Sequence, residues 1–306
     1  MAKKNMEATA SDGSRAISKF HISDLIIILV LVILCATCVV PFWHVLVKSI
    51  SGDGPVMMKE VFFWPKEFTL SAYSKVFSDR SMVRSMIYSV GVTLLFTLLG
   101  MITCTCAAYP LSKKRLKGKG FITFVLMVPM YFTAGMIPSF ILMFNLHLID
   151  NMWVLILPLI YSPYNMLVMK TYFQSTIPDS LEESAYLDGA SNFQVLTKIV
   201  LPLSKPILAT LSLFYAVGRW NAYGDHMYYI RSDSVRMIQY KLYLLVQGAE
   251  ASISASLGDT GGATNITTPE VLQAACIMFV TVPIIIVYPF LQKYFVKGAM
   301  VGAVKG

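Results

Sequence analysis

Long apolar runs separated by short polar stretches set the pattern of this chain. Six runs stand out: Leu25–Val47, Met86–Tyr109, Gly120–Phe144, Met152–Phe173, Leu203–Tyr223 and Val271–Leu291. Crossing the hydrocarbon core as a helix takes about 20 residues, and each run has that length. Backbone groups in lipid are satisfied only within helices or closed barrels, so runs of this length predict helices. Leu25–Val47 exceeds the apolar core of a signal peptide and no small-residue cleavage site follows it, so it reads as a span. The fifth run is interrupted by Arg219. The predicted architecture is an all-α membrane protein of six transmembrane helices. It forms a single transmembrane domain over 1–306: a segment 1–23, a six-span core 24–292 and a tail 293–306.

The polar stretch between the fourth and fifth runs is sharply punctuated. Pro178 breaks what precedes it, and Ser180 and Glu183 have the spacing of a capping box. Gly189 after Asp188 suits a left-handed helix stop. The pattern predicts a helix over Leu181–Asp188, about 12 Å long. Ser191 and Gln194 repeat the capping spacing, and Phe193, Leu196 and Val200 then share one helical face. Pro202 and Pro206 shape the entry into the fifth run. Two short helices at a glycine elbow make a rigid knob. A helix this short is marginal alone in water, so the protein's own surface or a partner's groove must hold it.

Charge decides orientation. Basic residues gather at Lys3, Lys4, Arg15 and Lys19, in "SKKRLKGKG" after the second run, at Lys170, Lys198 and Lys205, and at Lys293, Lys297 and Lys305. By the positive-inside rule both termini and the knob are cytoplasmic. The formal net charge of +8 then reflects membrane orientation and calls for no nucleic acid. The basic loop Lys113–Lys119 reads as a topology anchor. A hydrophobic content of 56% excludes an ordinary soluble domain. The five cysteines fall inside predicted spans without zinc spacing, and the four histidines are scattered, so no metal site is expected. No phosphate-binding loop, nucleophile elbow or paired intramembrane carboxylate is present, so the chain reads as non-catalytic. If ATP drives it, another chain hydrolyses the ATP.

Candidate contacts lie elsewhere on the chain. An arginine within a span defaults to a functional role, although Arg219 is near enough to the run's end to snorkel. Trp220, Asn221 and Tyr223 beside it suit a sugar, by stacking and amide hydrogen bonds, or an interfacial aromatic belt. Tyr131, Tyr161, Tyr164 and Asn165 are further candidates for the same path. The stretch "VRMIQYKLYLLVQ" reads as an amphipathic helix or strand, and the small, glycine-rich segment after it as a mobile loop. Within that loop, Gly248, Gly258, Gly261 and Gly262 are candidate contacts for a partner.

Glu183-Ser184-Ala185, three residues, Gly189, nine residues, then Ile199-x-Leu201-Pro202 resembles the EAA–G–I-x-LP motif of ABC importer permeases. Ser184 in place of the first alanine is the one departure in the triad. "FYAVGRWNAY" (Phe214–Tyr223) and "YPFLQKYFVKGAMVGAVKG" (Tyr288–Gly306) are similar to the sugar-importer branch, LplC/YtcP-type and MalG-like. The resemblance covers almost the whole chain. It implies a multi-pass permease of the bacterial plasma membrane for oligosaccharides or polysaccharide fragments. The implied partners are a second homologous permease, two ATPase subunits and an extracellular solute-binding protein, with ATP and Mg on the ATPase and no cofactor in this chain. Glu182, Glu183, Ser184, Ala185, Asp188 and Gly189 would form the coupling helix seated on the ATPase. Glu183 can pair with a basic residue there or serve its own capping box, and one carboxylate can do both. The rival is an ion-coupled secondary sugar transporter. That mechanism usually needs acids inside spans, whereas Asp24, Asp150 and Asp225 lie at their ends.

Overall fold

The computed structural model describes the backbone of residues 22–256 and 269–303 and the side chains of 24–248 and 270–289. Lys3, Lys4, Arg15, Lys19 and Lys305, and with them Gly258, Gly261 and Gly262, lie outside the described residues, as do the side chains of Lys293 and Lys297. Among the described residues every regular element is helical. In chain order the α-helices are α1 Ile22–Ser49, α2 Asp53–Met57, α3 Ser71–Ser78, α4 Arg80–Ser112, α5 Lys119–Tyr131, α6 Met136–Asn145, α7 Pro163–Thr176, α8 Asp179–Leu187, α9 Asn192–Val195, α10 Leu201–Leu203, α11 Lys205–Asn221, α12 Gly224–Tyr229, α13 Ile238–Ser256 and α14 Pro269–Ala303. The chain divides into one unit ending at His44 and a second beginning at Val45. In the first unit every side chain from Leu25 to Leu34 is exposed. A helix that is apolar all round belongs in lipid or against another protein.

Among the described residues three helices are long and apolar enough to cross a membrane unaided: Asp24–Ser49, Arg80–Ser112 and Glu270–Pro289. Of the other three predicted spans, the third and fourth are not continuous helices. Gly120–Phe144 resolves into α5 and α6, bent by 110°. Phe132 is extended and Gly135 has φ +81°, a conformation that glycine adopts without the Cβ clash. The fourth begins as 3₁₀ turns over Met152–Leu159, then bends 50° into α7. Pro158 and Pro163 punctuate it, and Ser162 caps α7 by accepting from the Asn165 N–H at 3.3 Å. The fifth is continuous as α11, and an 84° bend at Ser204 sets it off from the preceding Asn192–Leu203.

The second unit is built around α4. Asp79 starts this helix by accepting from the backbone N–H groups of Ser81 and Met82. α4 packs on α7 and α11, and α14 packs on α11, α13 and α3. A Cβ on Gly100 would come within 2.7 Å of the Tyr215 ring, so glycine lets α4 and α11 approach closely. Met166, Met169, Phe173 and Leu211 fill the core beside them. A second cluster joins Val76, Val271, Ala275 and Val280 with Trp220 and Ile238. The stretch that reads as an amphipathic helix or strand is helical, and its first N–H, at Ile238, donates to Ser89 Oγ at 2.8 Å.

Candidate functional site

The knob begins at α8, two residues earlier than its sequence pattern suggests. Pro178 stands at the N-cap with extended backbone and no side-chain cap. Ser180 therefore lies in the first turn, where its carbonyl accepts from Ser184 Oγ at 2.9 Å, and the Ser180–Glu183 capping box does not form. Asp179 and Glu182 in that first turn suit the positive end of the helix dipole. The stop follows the sequence reading. Gly189 has φ +81° and donates to Tyr186 O at 3.0 Å, while the Ala190 N–H donates to Ala185 O at 2.9 Å. These two bonds are those of a Schellman motif. The second capping box also forms, with the Ser191 N–H donating to Gln194 Oε1 at 2.8 Å and the Gln194 N–H to Ser191 Oγ at 3.3 Å.

Beyond it, Leu196–Val200 winds as a π-helix. The wider turn brings Val195 and Val200, five residues apart, onto one buried side. Phe193, expected on that face, instead points outward and is 72% exposed.

Helical spacing sorts the side chains of α8 into two stripes. Asp179, Glu182 and Tyr186 meet the basic loop that follows α4. Glu182, only 6% exposed, forms an ion pair with Lys113, whose ammonium also lies 4.4 Å from the centre of the Tyr109 ring. Lys114 pairs with Asp179 at 2.7 Å. Hydrogen bonding between them raises the Lys114 pKa and lowers that of Asp179. Arg115 stacks over the Tyr186 ring at 4.5 Å and donates to its hydroxyl at 2.8 Å. Asn192 Oδ1 accepts from both Arg115 and Tyr186. The loop expected to serve as a topology anchor is thus a clamp on the knob. The sequence reading missed Lys113, Arg115, Tyr186 and Asn192 because their contacts bridge residues some 70 positions apart.

The second stripe faces away. Glu183 and Ser184 are exposed, Leu187 is 89% exposed, and Asp188 and Gly189 at the elbow are exposed too. Ala185 is half-buried between the stripes. A held helix carrying a carboxylate and an uncovered leucine, with Phe193 close in sequence, is chemically suited to a groove with a base and an apolar floor.

At the other end of α11, Arg219 is 1% exposed and does not snorkel. It donates to Leu155 O at 2.8 Å and to Asp225 Oδ2 at 2.5 Å, with Phe96 5.8 Å from its guanidinium. Trp220 beside it is buried, Asn221 is exposed, and Tyr223 stacks on Tyr243 at 5.0 Å. His226 is fully buried, and that burial holds its pKa down at about 4. Asp150 ties this end together. Its carboxylate accepts from the Arg231 and Ser232 N–H groups at 3.0 and 2.8 Å and from the Ser232 hydroxyl. The Ser232 bonds lower the Asp150 pKa. Of the remaining path candidates, exposed Tyr131 ends α5, and Tyr161, Tyr164 and buried Asn165 surround the start of α7. Tyr161 donates to Leu126 O at 3.0 Å. Gly248, placed in a mobile loop by the sequence reading, instead lies exposed on helix α13, which runs to Ser256.

Residues 97–301 match the family described as binding-protein-dependent transport system inner membrane component. The chain belongs to that family. The permease is 38% identical to protein LplC of Bacillus subtilis (strain 168) over 274 residues, 89% of this chain and 90% of that relative. It is 36% identical to the polygalacturonan/rhamnogalacturonan transport system permease protein YtcP of the same organism, over 94% of this chain and 100% of that one. A chain from the crystal structure of a bacterial ABC transporter involved in the import of the acidic polysaccharide alginate superposes on the permease with a TM-score of 0.80. That chain is 32% identical, and the match covers 90% of this chain and 99% of it.

Proposed function

We propose that this permease is one membrane subunit of an ATP-driven importer for oligosaccharides or polysaccharide fragments. It crosses a bacterial plasma membrane six times, the three bent helix pairs each counting as one span, with both termini on the cytoplasmic side. It forms half of the translocation path, and a homologous second permease supplies the other half. Two separate ATPase subunits carry ATP and Mg, and an extracellular solute-binding protein delivers substrate. The observation that carries this reading is the outward stripe of α8: Glu183 and Leu187 uncovered on a helix whose opposite stripe is fixed to the protein. An ion-coupled transporter has no use for such a surface. The relatives' names support the substrate class, since YtcP is named for polygalacturonan and rhamnogalacturonan and the alginate system for an acidic polysaccharide.

In this reading Asn221, Tyr223, Tyr131 and Tyr164 present exposed polar and aromatic groups to the path. Trp220, Tyr161 and Asn165 back them. Arg219 shapes the path's end from within, because its charge is already met by Asp225. Gly248 is a contact for the binding protein. The test is recovery of the chain from its native membrane in mild detergent. A second permease and an ATPase should accompany it, and Glu183→Ala should reduce the recovered ATPase. Recovery of this chain alone in several detergents would contradict the reading.

A further inference from the structure

The side-chain hydrogen bonds and ion pairs that leave α8 run along one stripe, Asp179, Glu182 and Tyr186, at helical positions i, i+3 and i+7. Apart from Asn192 on the knob itself, their partners are Tyr109 in the last turn of α4 and the three residues directly after it. Both chain connections of α8 bend: Ile177 is extended and Gly189 is left-handed. A nine-residue helix between two bends does not hold its own direction; the stripe does so together with the packing of Ala185 and Tyr186 on the core.

The three links differ in strength. Lys114 and Asp179 are both exposed, and such pairs contribute little. Lys113 and Glu182 are mostly buried, so removing either leaves a buried charge without its partner. Arg115 combines stacking on Tyr186 with hydrogen bonds to two acceptors, a set that lysine's point charge does not reproduce.

We propose that Lys113 and Arg115 are positioning residues that lock the knob to α4, so that a push on α8 moves α4 as one rigid body. This rests on the reading that an ATPase engages α8, and it assigns the step that carries force from that contact into the membrane core. Lys114 is not part of the lock.

The test places spin labels at Leu181→Cys on α8 and Leu98→Cys on α4, in a cysteine-free background of the full importer with its ATPase. Both sites are exposed, and neither belongs to the stripe that meets Lys113 and Arg115. The probes are the nucleotide-free and ATP–vanadate states, which need no knowledge of the sugar. The lock predicts one narrow distance distribution, unchanged between states, in the parent and in Lys114→Ala. In Lys113→Met or Arg115→Ala the distribution should broaden at least about twofold and differ between states, while the ATPase still co-purifies and hydrolyses ATP. Lys113→Arg, which keeps a cation opposite Glu182, should narrow it again. A distribution that shifts between states in the parent overturns the lock, as does one that stays narrow in both variants. Loss of the ATPase from the variants alone also overturns it, since the residues would then serve docking. Absence of the ATPase from the parent complex defeats the underlying reading instead, and this proposal with it.

Discussion

Leu187 is the residue whose exposure most needs a partner. A leucine 89% exposed at the tip of a clamped helix offers apolar area for a partner's groove to bury. Leu187→Asp should reduce ATPase recovery by about tenfold or more, a larger loss than Glu183→Ala, because it places a charge where apolar burial is expected. Quantitative pull-down from co-expressed subunits checks the order. Arg219 and Asp225 form the buried pair at the other end of α11. Arg219→Ala leaves the Asp225 carboxylate and Leu155 carbonyl unmet and should cost about 3 kcal/mol in thermal or denaturant stability. The double change with Asp225→Ala should cost less than the two single changes added together. His226 sets a pH dependence beside them. Its folded pKa of about 4 lies below the ordinary 6.5, so between those values the unfolded chain binds more protons. Stability therefore falls as pH drops from 6.5 toward 4, and His226→Phe should flatten that slope in melts of the detergent-solubilised chain.

At the scale of elements, the knob depends on its glycine elbow. Nothing lies within 4 Å of a Cβ placed on Gly189, so the only penalty of Gly189→Ala is the left-handed backbone, about 1–2 kcal/mol. Local straightening of the elbow should weaken ATPase recovery while the melting temperature of the membrane core changes little. The elbow and the Ser191–Gln194 box were legible in the sequence because both are decided within a few residues. The Ser180–Glu183 box was a misreading. Pro178 sets an earlier start, and Lys113 and Lys114 draw Glu182 and Asp179 to a surface that the local pattern does not show. Bends were harder to see than spans. Gly135, Pro158 and Pro163 mark those in the third and fourth runs, yet each sits in an apolar context whose length alone suggests an unbroken helix, whereas Pro202 and Pro206 flag the bend at Ser204.

For the whole molecule, apolar length and the spacing from Glu183 to Pro202 were enough to reach an all-helical membrane permease and its family. The clamp was not legible, because Lys113 and Glu182 are 69 residues apart and a basic loop has the same composition whether it faces headgroups or a carboxylate. Only half of the Arg219 enclosure was hidden for the same reason: its acceptor Leu155 lies 64 residues away, whereas its carboxylate partner Asp225 is six residues along. The proposed division of labour rests on the uncovered stripe of a held helix, α8. The most direct measurement is uptake by the purified importer in liposomes loaded in turn with ATP, with no nucleotide, and with an imposed proton or sodium gradient. Labelled oligosaccharides from polygalacturonan and from alginate, each with the binding protein, serve as probes. The account predicts uptake that requires ATP and disappears when the ATPase subunit is omitted. Uptake driven by an ion gradient without that subunit would contradict it.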